Sequence, residues 1–387
     1  MKSWFGGWWR RDSKTRTDAA PSLPPKPPKS SADGIDATRP LPKQAIPQET
    51  SRERFRRFQR QVAERMAHAH RPVDRPDSNY PHAYRLAQMG GPAIFDPALR
   101  NYSAGYREGD PAFASDADRR RWWAARTALL EHAMRVVAES RWKGHAMLRG
   151  SALLKLFLGD EARSPGDIDW VVLAPGWTST CDETEAMLSD IAQRFTEQRR
   201  VGEATVGPEQ VARDPIWTYE RADGMRLTFI GTIAGLPPLK VQCDFVFGET
   251  PWEPPMPVSI PTSDHREIAL SAASPELSLA WKLLWLLTDA YPQGKDLYDA
   301  VMLAERYSLP QPLLDRMVAT VCEENGEYWR KGLFDGSFED AFEENFVDID
   351  WLPFAVEYPW VDPDLEGWVD RLKQAMPMLW APEVWRR

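Results

Sequence analysis

Cysteine is scarce in this chain: Cys181, Cys243 and Cys322 are the three present among 387 residues. An odd number, far apart and without a C-x-x-C pair, excludes a disulfide framework, argues against structural zinc and fits a reducing compartment. Long apolar runs are lacking too. The opening MKSWFGGWWRRDSK has aromatic residues but no hydrophobic stretch long enough for a signal peptide or a membrane helix, so a cytoplasmic location with no membrane role is expected. No internal repeat is found beyond a duplicated Asp-Ile-Asp. Residues 1–75 lack any apolar period; PSLPPKPPKSSADGIDATRPLPKQAIPQ is rich in Pro, Ser and Lys and cannot bury enough surface to offset its conformational entropy. This stretch reads as a disordered arm.

Charge separates the arm from the body. Residues 1–75 hold 17 Lys and Arg against 8 Asp and Glu, a net of +9, whereas the whole chain is -9; residues 76–387 therefore carry -18. The arm is expected to be dispensable for chemistry and to raise affinity for a polyanion. The 18 Trp are read first as packing residues rather than base-stacking ones. Residues 76–115, with many Gly, Pro and Tyr, read as an irregular wrap. From Ser115 the apolar residues Trp122, Ala125, Leu129, Ala133, Val136 and Val137 fall at helical spacing. A short strand, a Gly-Ser turn and a two-turn helix follow in GHAMLRGSALLKLFLGD; DIDWVVL reads as the next strand and CDETEAMLSDIAQRFTEQ as the next helix. IWTYE, RLTFIGTI and LKVQCDFVF read as strands, and from Ser274 the chain turns helical. The expected architecture is α/β (α+β): a mixed-sheet core over 116–262 and a helical C-terminal domain over 263–387.

Chemistry is concentrated in a few places. In SPGDIDWVVL, Asp167 and Asp169 lie on one face of a strand, because side chains alternate with a period of two, and paired carboxylates attract hard cations. Sixteen positions upstream stands Gly150-Ser151, where Gly allows close backbone approach and a Ser at a helix start presents its hydroxyl and nearby amides to phosphate oxygens. Asp244, among Val241, Phe245, Val246 and Phe247, is a third carboxylate. If its strand lies beside that of Asp167 and Asp169, the three can hold one or two Mg2+ ions, with one acting as general base toward an acceptor hydroxyl. Lys282 interrupts an otherwise apolar helical run from Leu277 to Leu287; its ammonium either snorkels to water or meets an anion such as a triphosphate. GKDLYD offers Lys295, Asp296 and Asp299, the two acids three apart on one helical face, where surface solvation is the plain reading. The second Asp-Ile-Asp, in VDIDWLPF, has no Gly-Ser turn upstream and meets Pro353 soon after, so Asp348 and Asp350 are expected to be surface acids.

Taken in order, MLRGSALLKLFLG, RSPGDIDWVVL, the helix of Lys282 and KDLYDAVMLAE resemble the AbiEii/AbiGii toxin family of nucleotidyltransferases, within the polymerase-beta-like nucleotidyltransferase superfamily, over about residues 117–325. The pattern falls on Gly150, Ser151, Ala152, Leu153, Arg163, Ser164, Asp167, Asp169, Lys282, Lys295, Asp296 and Asp299. Here Pro165 and Gly166 stand between Ser164 and Asp167. The resemblance implies a Mg2+-dependent enzyme that moves a nucleoside monophosphate from an NTP to a hydroxyl, with RNA, at the 3' end of tRNA, as acceptor and a separately encoded antitoxin as partner. Gly150 and Ser151 would hold phosphates, Asp167 and Asp169 the metal, Lys282 the triphosphate charge, and Asp244, Asp296 or Asp299 would activate the acceptor. A small-molecule or protein hydroxyl as acceptor, or a non-catalytic binding module of the same fold, remain the alternatives. Arg119, Arg120, Arg121, Arg199 and Arg200 are candidates to line an RNA rim, and Trp122 and Trp123 to stack a base there, though core packing is the plainer use of both rings.

Overall fold

A computed structural model describes residues 90–91, 93–95, 106–216, 223–289, 292–335, 342–343, 345–346 and 349–386, with side chains not described at 93–95, 106–107 and 325–335. The arm of residues 1–75 and Asp348 lie outside the described residues. Before the body, strands β1 (Ala93–Phe95) and β2 (Tyr106–Glu108) form a small antiparallel pair.

Helix α1 (Asp116–Glu139) starts where Ser115 caps it by accepting a hydrogen bond from the Asp118 amide at 3.1 Å. Its stripe from Trp122 to Val137 is buried as the spacing predicts. Next come β3 (Ala146–Arg149), α2 (Ser151–Leu158), β4 (Ile168–Val172) and α3 (Asp182–Glu197). A two-stranded turn of β5 (Arg200–Val201) and β6 (Ala204–Thr205) leads to β7 (Val211–Pro215), β8 (Asp223–Gly231) and β9 (Leu239–Phe247). Strand β7 at Val211–Pro215 precedes the strand expected at IWTYE, of which residues 217–220 lie outside the described residues. Strands β10 (Met256–Pro261) and β11 (Glu267–Ala272) follow.

Seven strands form one mixed sheet in the order β10-β11-β3-β4-β9-β8-β7. The β11/β3 and β4/β9 pairs are parallel and the others antiparallel. The sheet thus continues past residue 262 to Ala272 before the helical part begins. The long ribbon of β8 and β9 shows how the alternation is used. Leu227, Phe229, Val241, Cys243 and Phe245 point to one face, which α1 and α3 cover, with Phe195 of α3 stacked on Phe229 at 3.8 Å. Arg226 and Asp244 point to the other face.

The helical part comprises α4 (Pro275–Thr288), α5 (Gly294–Ala304), α6 (Gln311–Asp335), α7 (Trp351–Glu357) and α8 (Leu365–Ala375). Ser274 caps α4 by accepting from the Leu277 amide at 3.0 Å, with Pro275 at the first helical position. Helix α5 is enclosed by α4, α7 and α8 and touches α2, which joins the helices to the sheet. This enclosure decides the second Asp-Ile-Asp. Asp350 is not a plain surface acid: its carboxylate is half-buried and accepts the Gly294 amide at 2.5 Å, satisfying a free N–H at the start of α5. Gly294 must be small there, since a Cβ would meet that of Phe354 at 2.7 Å.

Candidate active site

The site forms where three adjacent strands present polar residues on one face. Strand pairing sets Arg149 opposite Asp169, Asp169 beside Asp244, and Asp244 opposite Arg226. Asp167, two residues before Asp169, shares its face. One carboxylate oxygen from each of Asp167, Asp169 and Asp244 lies within 4.8 Å of the others. The parallel pairing of β4 with β9, on which convergence depended, is therefore present.

Gly150 is required on two counts. Its φ of +77° is a conformation that side chains disfavour, and a Cβ at this position would overlap Asp169 Oδ2. Ser151 then opens α2, 2% exposed, with its hydroxyl without a hydrogen-bond partner among the described residues. A buried hydroxyl left unmatched at a helix start costs stability, and a ligand oxygen would satisfy it. The motif Gly-Ser is thus set directly against the carboxylates.

The three acids differ electrostatically. For Asp169, burial and then the neighbouring Asp167 and Asp244 push the carboxyl up to about 7. Burial would raise Asp167 as well, but Lys295, Arg226, Arg163 and Lys282 outweigh it and hold that group below the usual carboxylate range. Asp244 is gripped through both oxygens by Arg226, at 2.7 and 2.5 Å. An all-oxygen set with this mutual repulsion is what a hard divalent cation relieves, so the residues present fit Mg2+.

Asp296 and Asp299 are not part of this cluster. Lys282, 4% exposed, donates to Asp296 Oδ1 at 2.6 Å and lies 3.1 Å from Asp299 Oδ2. Arg163 takes Asp299 through Nε and Nη2 at 3.0 and 2.8 Å. Burial would raise Asp299, yet Arg163 and Lys282 keep it below its ordinary value. Neither snorkelling nor surface solvation applies: the lysine meets an anion, and the anion is the protein's own. Both oxygens of Asp299 are thus engaged by buried cations of the protein itself. Lys295 differs. Among the described residues it has no carboxylate within ion-pair distance, while the field of Asp167 and Asp296 overcomes burial and holds its ammonium above the ordinary lysine range.

Several contributors were not singled out beforehand. Arg226 and Arg149 are placed by register, the latter donating to Glu249 at 2.5 Å with its guanidinium 5.2 Å from the Trp281 ring and 5.5 Å from that of Trp285. Only Arg149 carried a signal, as the residue before Gly150-Ser151. Arg126 reaches the loop before Asp167 from α1. Trp122 is fully buried, donates to the Pro237 carbonyl at 3.2 Å and cannot stack a base; Trp123 packs edge-on against it. No helix among the described residues is long and apolar enough to cross a membrane.

No similar protein is found among curated sequences. Among solved structures, MenT4, a nucleotidyltransferase toxin from Mycobacterium tuberculosis H37Rv, is similar at 14% identity, covering 67% of this chain and 98% of that one with a TM-score of 0.36. The family described as nucleotidyl transferase AbiEii toxin, type IV toxin–antitoxin system, matches residues 132–375, which include every carboxylate and lysine of the site. The chain belongs to the AbiEii family of nucleotidyltransferase toxins.

Proposed function

We propose that this enzyme transfers a nucleoside monophosphate from an NTP to a hydroxyl at the 3' end of tRNA, releasing pyrophosphate, and that a separately encoded antitoxin restrains it in the cytoplasm. The observation that carries the transfer is the meeting of Asp167, Asp169 and Asp244 against the Gly150-Ser151 turn. The acceptor oxygen attacks the α-phosphorus, the bond to the bridging oxygen breaks, and pyrophosphate leaves with its electron pair. Asp167 and Asp169, with Asp244 beside them, would hold Mg2+, which would supply Lewis-acid neutralisation of the phosphate charge. Ser151 donates its unmatched hydroxyl to a phosphate oxygen, aided by the amides opening α2. Lys295 meets the triphosphate, while Lys282, Asp296, Asp299 and Arg163 hold α5 in place. The acceptor's proton passes to Asp244, which sits in the cluster where Asp296 and Asp299 do not.

RNA is favoured over a small acceptor by the course of α1. Arg119, Arg120 and Arg121 are exposed near its start, and Arg126, about 10 Å further along the axis, touches the loop before Asp167. Arg119 and Arg121 are each paired with an acid, and Arg199 and Arg200 are also exposed. The acidic body opposes a polyanion at long range, but local charge governs contact. The test is incubation with total RNA, Mg2+ and each α-labelled NTP, with Asp167→Asn and Asp169→Asn as controls. Label in the tRNA band, absent from both variants, is expected. Label confined to small molecules would move the acceptor class, and no transfer at all would overturn the enzyme reading.

A further inference from the structure

The residues Pro165 and Gly166, which separate Ser164 from Asp167, are gripped by a cation from another element. Arg126 of α1 donates through Nη1 to the Pro165 carbonyl at 2.9 Å and through Nη2 to the Gly166 carbonyl at 3.0 Å. Its guanidinium is 7% exposed, lies 5.3 Å from the Trp123 ring, and has no carboxylate within ion-pair distance among the described residues. Burying a charge without a counter-ion is costly. The two carbonyls and the face of the Trp123 ring are its direct partners here, and the two hydrogen bonds are the directional part of what the residue gains from its position.

The segment it holds needs holding. Residues 164–166 belong to neither helix nor strand; Ser164 and Gly166 are exposed, and a Cβ on Gly166 would meet nothing within 4 Å. Packing therefore does not fix this loop. On its upstream side Arg163 is anchored to Asp299, and on its downstream side Ile168 is fully buried in β4. Between these anchors Arg126 alone, among the described residues, bonds the backbone at Pro165 and Gly166, and the Gly166 carbonyl belongs to the peptide unit that leads into Asp167. Where that peptide plane points determines where the Asp167 carboxylate starts.

We propose that Arg126 is a positioning residue for the metal-binding carboxylate of Asp167: its fork holds the Pro165-Gly166 loop so that Asp167 faces Asp169 and Asp244. This rests on the reading that the three acids bind a divalent cation. Groups that orient metal ligands typically change metal affinity by about 10–100-fold when removed.

The test is equilibrium Mn2+ binding to the full-length protein, read from the electron paramagnetic resonance of free Mn2+, for wild type, Arg126→Met, Arg126→Lys and Asp167→Asn. Thermal unfolding is measured alongside. Arg126→Met is expected to weaken Mn2+ binding at least tenfold. Arg126→Lys, which keeps the charge but has one nitrogen for two carbonyls, is expected to fall between it and wild type. A merely structural clamp would lower the unfolding temperature of Arg126→Met while leaving Mn2+ affinity within twofold of wild type, and that result overturns the proposal. Should Arg126→Met not fold, Arg126→Lys decides: threefold or greater weakening supports positioning, and wild-type affinity refutes it. A wild type that binds no Mn2+ would instead sink the metal reading, a result distinct from equal binding by wild type and variants.

Discussion

Asp169→Asn should make the metal-free protein more stable while abolishing its activity. In the folded chain burial, Asp167 and Asp244 together push the Asp169 carboxyl up to about 7 from an ordinary value of 3.8. A difference of about 3 units at about 1.36 kcal/mol each sets an upper bound near 4 kcal/mol. The side chain is half-buried and water screens part of the repulsion, so about 1–2 kcal/mol is expected. The sign follows from linkage: a carboxyl raised in the folded state binds its proton more tightly there, so wild-type stability at this residue is lost as pH rises from about 4 to about 7. Asparagine carries no charge to lose. Its advantage should therefore be absent near pH 4 and complete above pH 7. In a protein of this size that is an increase in Tm of about 1–3 °C at pH 8, measured by calorimetry in EDTA. Adding Mg2+ should stabilise wild type and not the variant. An Asn variant equal to or less stable than wild type at pH 8 in EDTA would refute the claim that the acids repel one another.

Ser151→Ala should leave thermal stability unchanged or slightly higher, because the hydroxyl has no protein partner, while raising KM for the NTP; steady-state kinetics with a thermal melt checks both. Asp299→Asn should cost about 3–5 kcal/mol in urea unfolding, because it strips a buried charge from Arg163 and Lys282. Asp350→Asn should lose about 1 kcal/mol by weakening the bond to the Gly294 amide and should lower activity through α5; full stability and rate would show that Asp350 is an ordinary surface acid. Deleting residues 1–75 should leave single-turnover transfer intact and flatten the salt dependence of RNA binding, and an unchanged slope would assign the arm to another task.

The sequence by itself determined most of the elements and where the candidate residues stand along the chain. Period-two and helical spacings placed β9, the buried stripe of α1 and the α2 turn, since local patterning records which face each element buries. Gly150-Ser151 and Asp167-x-Asp169 were legible because the residues involved are neighbours along the chain, so their relation is fixed by backbone geometry alone. Register and packing were not legible. Whether Asp244 joined Asp169 depended on the parallel pairing of β4 with β9, and Arg226 on that of β9 with β8. Lys282 was visible as a cation out of place, but its partners, Asp296 and Asp299, lie on another helix and are chosen by how α4 packs on α5. Asp350 read as a surface acid because nothing near it in sequence shows that α7 lies against the start of α5. A charge buried between elements finds its counter-ion, or its carbonyls in the case of Arg126, across distances of chain that no local spacing encodes, and so only the tertiary structure decided which acids gather on the sheet face and which neutralise the protein's own cations.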